Sequence, residues 1–148
     1  ESMNELVGII RNAGELEQAL ANLEQFKARF ANLHVEGGRH YNPGWHLAVD
    51  LRNMLLVSEC VANAALQRTE SRGGHTRDDC PGMDSTWRKT LLVCRVADGE
   101  ATQNIPGIDV SREEQRGMRE DLLELFEISE LEKYYTDEEL AQHPGRRA

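Results

Sequence analysis

The segment Glu70–Pro81, which reads ESRGGHTRDDCP, is the feature that most constrains what this chain can fold into. It follows a long amphipathic run that predicts a helix, and it cannot continue that helix. Gly73 and Gly74 allow a tight backbone with positive φ, and Pro81 lacks the amide hydrogen that a helix requires. Two arginines, a histidine and two adjacent aspartates crowd the same turn. The sequence therefore predicts a short, rigid loop that docks through charged hydrogen bonds, either on its own domain or on a neighbour.

Two long runs before this segment place apolar residues at steps of three and four, which predicts two amphipathic helices. The first helix is expected over residues 15–35, because the double glycine at positions 37 and 38 can end it. Its apolar stripe consists of Leu16, Ala19, Leu20, Leu23, Phe26, Phe30 and Leu33. Its solvated face is expected to carry Glu17, Glu24, Lys27 and Arg29.

The second helix is expected to run from about Trp45 to Arg68, behind the turn signal Asn42-Pro43-Gly44. Its apolar stripe consists of Leu47, Leu51, Met54, Leu55, Ser58, Val61, Ala62 and Ala65. The small residues in its second half would let a neighbouring backbone come close. Because a short helical run at Leu6–Ile10 precedes both helices, residues 1–88 are predicted to form a three-helix up-down bundle with the charged loop at its end.

The pattern after residue 88 is no longer helical. Residues 87–97 include a short run that is apolar and partly β-branched, and the turn signal Asp98-Gly99 follows them. This run consists of Leu91, Leu92, Val93, Cys94 and Val96. With Glu100–Asn104 as the returning strand, this stretch predicts a small β-hairpin, which Ile105-Pro106-Gly107 would end.

The last part of the chain predicts short helices. The stretch Ser111–Glu114 resembles a capping box, and Thr136–Glu139 is a second helix-start signal. Leu122–Phe126 supplies an apolar helix turn between them. Residues 144–148 are expected to fray. The fold class is therefore predicted to be mainly α: residues 89–148 add a hairpin and a short helical C-terminal extension to the bundle, within a single domain.

Composition excludes several classes of function. The 148 residues carry a net charge of −9, which argues against binding to nucleic acid or to an anionic membrane surface. The chain has no run of about 18 apolar residues, so no direct insertion into a bilayer is expected. The first residues enter a helical pattern without a clear cap, which favours a stretch cut from a longer protein.

The titratable clusters do not predict a metal site. Cys60, Cys80 and Cys94 are odd in number and widely spaced, which is typical of free thiols in a reducing cytoplasm and not of a disulfide framework or a zinc site. The adjacent carboxylates of Asp78 and Asp79 point in different directions in most backbones, and no further ligand lies nearby in the sequence.

The loop side chains leave two interpretations open. His75 could act as an acid, a base or a ligand, but a hydrogen bond to a neighbouring carbonyl or carboxylate is favoured, because no second histidine or cysteine stands at ligand spacing. Arg72 and Arg77 could clamp a carboxylate substrate, or they could pair with Glu70 or Asp79 or with Asp78. An intermediate interpretation is preferred, in which these arginines and the histidine hold the domain against another domain.

The string from Ser71 to Pro81 resembles the SRGAHxRxD(F/Y)P signature of the flavoprotein subunits of succinate dehydrogenase and fumarate reductase. The stretches Asn42–His46 and Leu51–Met54 are similar to the corresponding helix entry in actinobacterial-type members. The resemblance covers residues 16–87 well. It departs from the signature at Gly74, where alanine is usual, and at Cys80, where an aromatic residue is usual.

The resemblance implies that this chain is the C-terminal helical domain of a succinate:acceptor oxidoreductase flavoprotein. FAD and all catalytic residues would lie in flavin-binding and capping domains outside this stretch, which would be inactive alone and would itself hold no cofactor or metal. An iron–sulfur subunit would be a partner, at the cytoplasmic face of a membrane. The interdomain motif would consist of Ser71, Arg72, Gly73, His75, Arg77 and Asp79.

An independent acidic helical module that binds a protein partner is the alternative. The two hypotheses differ in what precedes this stretch in the gene. A reading frame that continues upstream into a glycine-rich flavin-binding segment favours the flavoprotein.

Overall fold

The computed structural model describes residues 1–98 and 105–141. They fall into two compact units, one formed by Glu1–Gly82 with Leu92–Ser111 and the other by Met83–Leu91 with Arg112–Ala148. The expected returning strand at 100–104 and the expected fraying at 144–148 lie outside the described residues.

Three helices form the bundle of the first unit: α1 (Ser2–Leu6), α2 (Ala13–Phe30) and α3 (Pro43–Gln67). Helix α2 packs against both α1 and α3. It begins with a capping box, in which Asn12 Oδ1 accepts a hydrogen bond from the Glu15 amide at 3.0 Å and Glu15 Oε2 accepts one from the Asn12 amide at 3.1 Å.

Helix α2 ends five residues earlier than predicted. The sequence pattern continues to Leu33, but this side chain is 46% exposed and so adds little packing. Tertiary packing, and not propensity, supplies most of the stability of a helical turn in a protein. The chain therefore leaves the helix after Phe30, well before the double glycine.

Helix α3 lies within two residues of its predicted bounds. Pro43 occupies its first turn, where the missing amide hydrogen has no cost. Asn42 caps the helix, since its Oδ1 accepts hydrogen bonds from the amides of Gly44 at 3.0 Å and Trp45 at 3.4 Å.

The core lies where α2 meets α3, and small residues allow the close approach. Ala19 on α2 and Ala62 on α3 are both fully buried. The buried apolar residues of this core are Val7, Leu16, Ala19, Leu23, Leu55, Ala62, Ala65 and Ile105. The stripe predicted for α3 is only partly inside, because Leu47, Met54 and Val61 are exposed.

Lys27 is a correction to the expected solvated face of α2, because it is buried against α3. Its Nζ donates to Glu59 Oε2 at 2.7 Å and to Glu24 Oε1 at 2.9 Å. Burial alone would lower the pKa of Lys27, but the hydrogen bonds that it donates to Glu59 and Glu24 outweigh burial and raise that pKa. A buried ammonium is tolerated here because it is paired.

A second correction concerns residues 6–10, which the pattern predicts as helix. Helix α1 ends at Leu6, and a two-residue strand β1 (Ile10–Arg11) follows. It pairs in parallel with β2 (Thr76–Arg77), inside the charged loop. The Ile9 carbonyl accepts from the Thr76 amide at 3.2 Å. The first residues of the chain therefore hold the loop in place.

The predicted β-hairpin is confirmed, with a different second strand. After the short helix α4 (Ser85–Arg88), strand β3 (Thr90–Val96) pairs with β4 (Ile108–Glu114). The return begins just beyond Gly107, whose carbonyl accepts from the Ala97 amide at 2.9 Å. The predicted helix start at 111–114 is wrong, because those residues continue β4.

Three short helices complete the second unit: α5 (Glu120–Leu123), α6 (Ile128–Leu131) and α7 (Asp137–Leu140). The predicted helix start at Thr136 is confirmed, and the structure shows a capping box there, in which Thr136 Oγ1 accepts from the Glu139 amide. Arg88 Nη2 donates to both oxygens of Glu139 at 2.7 Å, and Lys89 and Arg88 together lower the pKa of Glu139 to about 2. The fold is thus mainly α with a small hairpin, as predicted.

Candidate functional site

The loop of residues 70–81 turns sharply at its two glycines. The Arg72 amide donates to the His75 carbonyl at 2.8 Å, and the His75 amide donates to the Arg72 carbonyl at 3.0 Å. Between them Gly73 has φ +59°, in the region that glycine occupies without strain. A glycine with positive φ at the first central position is typical of tight hairpin turns.

Arg77 caps the C-terminal end of α3. Its side chain is 2% exposed, and its Nη1 donates to three carbonyls that the helix leaves free. These are the carbonyls of Ala65 at 3.0 Å, Leu66 at 3.1 Å and Arg68 at 3.3 Å. A cation at this end also interacts favourably with the helix dipole.

Asp79 joins the same guanidinium to the start of α2. Its two oxygens accept from Arg77 Nε at 2.7 Å and Nη2 at 2.6 Å, a bidentate arrangement. Asp79 Oδ2 also accepts from the Ala13 amide at 3.1 Å, in the first turn of α2. These contacts hold the pKa of Asp79 well below its usual range and raise the pKa of Arg77. The Arg77–Asp79 pair therefore connects one end of α3 to one end of α2.

Glu70 forms a second charged centre on the same loop, and it is fully buried. Its oxygens accept from Arg72 Nε and Nη2, both at 2.9 Å, and its Oε1 also pairs with Arg68. One carboxylate thus faces two guanidinium groups. Sequence reasoning named Glu70 only as an alternative partner of the arginines, because a buried carboxylate cannot be recognised before the fold is known.

Ser71 closes the loop on itself. Its Oγ accepts from the Arg77 amide at 2.8 Å and lies 2.7 Å from the Cys80 carbonyl, to which it can donate. The Ser71 amide donates to the Gly82 carbonyl at 2.9 Å. These hydrogen bonds within residues 71–82 therefore add to the contacts that β1 makes with the loop.

His75 lies half-buried, with its Nε2 3.1 Å from the Arg68 carbonyl, so this nitrogen carries the proton. Burial lowers the pKa of His75, and the nearby guanidinium groups of Arg11 and Arg77 lower it further. Within residues 1–98 and 105–141, no group of three or more histidines, cysteines and acids is arranged to hold a metal ion. The geometry is that of a neutral hydrogen-bonding histidine.

Arg11 is the member of this cluster that sequence reasoning missed. Burial, followed by the charge of Arg77, lowers its pKa, and its Nε makes no hydrogen bond within the described part of the chain. Its backbone carbonyl accepts from the Asp78 amide at 3.0 Å. Arg11 stands 59 positions before the first residue of the loop, and no local sequence signal could have connected the two.

One face of α3 leaves large apolar side chains exposed. On the outer face of α3, Leu47 is 67% exposed, Met54 62% and Val57 60%. Leu51 and Val61 continue the same face along the helix. We call these five residues the outer face of α3. Contiguous exposed apolar side chains on a small domain mark interaction surfaces.

The described residues do not fit FAD. A dinucleotide site needs a parallel strand that leads through a glycine-rich turn into a helix N-terminus. The parallel strands here are two residues long, and β2 leads into the Asp79–Pro81 turn instead.

No helix in residues 1–98 or 105–141 has the length and apolar character needed to cross a bilayer.

The charged loop contacts the C-terminal end of α3 and the N-terminal end of α2, and a small β-hairpin follows it in the chain. These features define a helical domain whose loop has a structural role. The chain belongs to the fumarate reductase flavoprotein C-terminal family, whose model matches residues 1–115. The resemblance of residues 71–81 to the succinate dehydrogenase and fumarate reductase signature is thereby confirmed.

Solved structures and curated relatives agree with this family. Mycobacterium smegmatis Sdh1 in complex with UQ1 is 64% identical with a TM-score of 0.86, over 97% of this chain and 24% of that one. The fumarate reductase flavoprotein subunit of Helicobacter pylori strain J99 is 38% identical over 74% of this chain and 15% of its own length. Escherichia coli quinol fumarate reductase FrdA gives a TM-score of 0.62 at 26% identity, over 74% of this chain and 19% of that chain. The chain thus spans a quarter or less of these proteins.

The structure brings all six predicted motif residues together. Ser71, Arg77 and Asp79 share hydrogen bonds, and Arg72 and His75 pair through their backbones across Gly73. Their assignment to an interdomain contact stays a prediction.

Proposed function

We propose that this chain is the C-terminal helical domain of a succinate:acceptor oxidoreductase flavoprotein and that it braces the flavin-binding part of the polypeptide. The length of the relatives supports this, because the chain corresponds to less than a quarter of Sdh1. FAD and the residues that exchange hydride with succinate or fumarate would then lie in the flavin-binding and capping domains.

The outer face of α3 is the observation that carries the proposal. Met54 and Val57 are more than half exposed on a helix whose opposite side is a packed core. Burying each such side chain contributes about 1.5–3 kcal/mol, so a protein gains much by covering the face. The remainder of the same polypeptide is the natural cover, since it is joined to this domain covalently and is present at high effective concentration.

The charged loop would orient the domain in that apolar contact through polar interactions. The Arg77–Asp79 pair fixes the loop from inside, while Arg72 is 25% exposed and His75 is half-buried at the turn. Further partners would be an iron–sulfur subunit and, through it, the cytoplasmic face of a membrane.

The test places a charge on the outer face in the full polypeptide. We expect Met54→Glu to lower the flavin content and the succinate-dependent reduction of a dye by at least about tenfold, because a buried unpaired carboxylate costs more than about 1.4 kcal/mol. Gln25→Glu, at an exposed position of α2, is the matched control and should leave both unchanged.

Unchanged flavin content and turnover in Met54→Glu would refute the bracing role. The gene provides a second test. A reading frame without an upstream glycine-rich flavin-binding segment would favour the independent protein-interaction module instead.

A further inference from the structure

Two of the three cysteines lie against each other at the junction of α3 and β3. Cys60 is in the second half of α3, and Cys94 is in the middle of β3. The Cys94 Sγ is 3.7 Å from the Cys60 carbonyl oxygen. Both side chains are partly exposed, and neither is in a disulfide.

This contact places the Cys94 sulfur beside the backbone of Cys60, and the two thiols also interact with each other. A disulfide requires two cysteines whose side chains approach in this way. Burial and the adjacent Cys94 thiol raise the pKa of Cys60, which is consistent with two neighbouring sulfurs. A soft metal would need further ligands, and the described residues offer no such cluster.

We propose that Cys60 and Cys94 form a reversible disulfide when the protein meets a peroxide. One thiol attacks the peroxide O–O bond, giving a sulfenic acid and one water from hydrogen peroxide. The second thiol then displaces the sulfenic hydroxyl as water and the S–S bond forms. Two thiols are oxidised, one peroxide is reduced, and two waters leave.

The cross-link would act on the loop as well as on the two elements that it joins. The residues are 34 positions apart in sequence, and the segment between them contains the whole charged loop. Oxidation would therefore close a covalent ring through α3, the loop and β3. Such a ring restricts the unfolded chain most of all, and it would make this part of the domain harder to open.

The experiment uses the full polypeptide as it is purified, treated with hydrogen peroxide at neutral pH. Free thiols are alkylated with one reagent, the protein is reduced, and newly released thiols are alkylated with a second. We expect Cys60 and Cys94 to carry the second label and Cys80 the first. Before reduction, the linked tryptic peptides should weigh about 2 Da less than their sum.

Variants separate pairing from simple reactivity. Cys94→Ser should leave Cys60 as a sulfenic acid that a dimedone probe captures, and Cys80→Ser should form the cross-link as the unaltered protein does. Because the thiolate is the attacking species and the pKa of Cys60 is raised, cross-linking should be slow near neutral pH and should accelerate as the pH rises.

First-reagent labelling of both Cys60 and Cys94 after peroxide, or their overoxidation without a linked peptide, would overturn the proposal. This readout needs no variant, so a Cys94→Ser protein that fails to fold does not weaken it. The result is also independent of flavin content, so it can fail while the proposed function stands.

Discussion

At the scale of single residues, Arg77 forms hydrogen bonds to backbone carbonyls in addition to its ion pair. Its guanidinium reaches Asp79 on one side and the carbonyls of Ala65, Leu66 and Arg68 on the other. Lysine keeps the charge but has no planar fork, so it cannot serve both sides. The planar guanidinium, and not the positive charge alone, therefore accounts for an arginine at this position.

We expect Arg77→Lys to lower the free energy of unfolding by about 2 kcal/mol, because carbonyls at the end of α3, among them the buried one of Ala65, lose their donor. Chemical denaturation of the chain measures the change. Arg29→Lys, at an exposed position of α2, is the control and should stay within about 0.5 kcal/mol of the unaltered chain. Equal stability of the two variants would contradict the capping role.

The two glycines of the loop should respond differently to alanine. A Cβ at either position meets no atom within 4 Å, so space does not distinguish them. Gly73 has φ +59°, where alanine costs about 1–2 kcal/mol. The φ angle of Gly74 is not positive, so alanine there should be neutral or should stabilise by up to about 1 kcal/mol. Thermal unfolding of both variants checks the difference, and a Gly74→Ala loss as large as that of Gly73→Ala would refute it.

His75 should make stability depend on pH in a defined direction. Its pKa is lowered in the folded state, so the unfolded chain binds more protons once the pH falls below about 6.5. The contribution of neutral His75 is therefore fully present above that pH and is lost as the pH falls toward the lowered value. His75→Gln should give a flatter dependence between about pH 7 and pH 5 than the unaltered chain, measured by denaturant titration at each pH. The exposed His40→Gln is the control, and an equal slope in all three chains would contradict the assignment.

The sequence allowed some of these residue contacts to be predicted and not others. The pairing of Arg77 with Asp79 was one of the stated alternatives, because the two residues are neighbours in the chain. Arg11 was not predicted, since only the folding of β1 onto β2 brings it to the loop. Local pairs can be inferred from spacing, and distant ones require the fold.

At the scale of elements, predictions succeeded where the chain carries its own start and stop signals. Helix α3 begins at a proline behind an asparagine cap and ends at the charged loop. Helix α2 has no comparable stop signal between Phe30 and Gly37, and its end was misplaced. Strands of two residues, such as β1 and β2, are too short to show any periodicity.

The buried pair between α2 and α3 gives the prediction at this scale. Glu59→Gln should destabilise the chain by about 2–3 kcal/mol, because Lys27 stays buried while the nearer of its two carboxylates loses its charge. Glu24→Gln, whose side chain is 58% exposed, should cost no more than about 0.5 kcal/mol.

Replacing both partners tests whether the cost arises from charge alone. The Lys27→Met, Glu59→Leu double variant should recover most of the loss seen in Glu59→Gln, since no charge is then left buried. Denaturant midpoints of the four chains provide the measurement. A double variant as unstable as Glu59→Gln would indicate that shape, and not charge, decides this contact.

At the scale of the whole molecule, the apolar pattern of the sequence cannot separate a core from a docking surface. Leu55 and Leu47 have the same side chain and lie in the same helix, but Leu55 is 5% exposed and Leu47 is 67% exposed. The difference depends on which side of α3 faces α2. The apolar stripe predicted from spacing therefore contained both core residues and exposed residues. Only the structure shows which of them pack against α2.

The last prediction concerns the chain in isolation. The 148 residues alone should bind no FAD and should not reduce a dye with succinate as the donor, because the described residues form no dinucleotide site and the outer face of α3 has lost its proposed cover. Flavin fluorescence after desalting and a dye-reduction assay measure both, with the full polypeptide as the positive control. Turnover by the isolated chain would contradict the division of labour proposed above, in which this domain holds its neighbour in position and the neighbour carries out the chemistry.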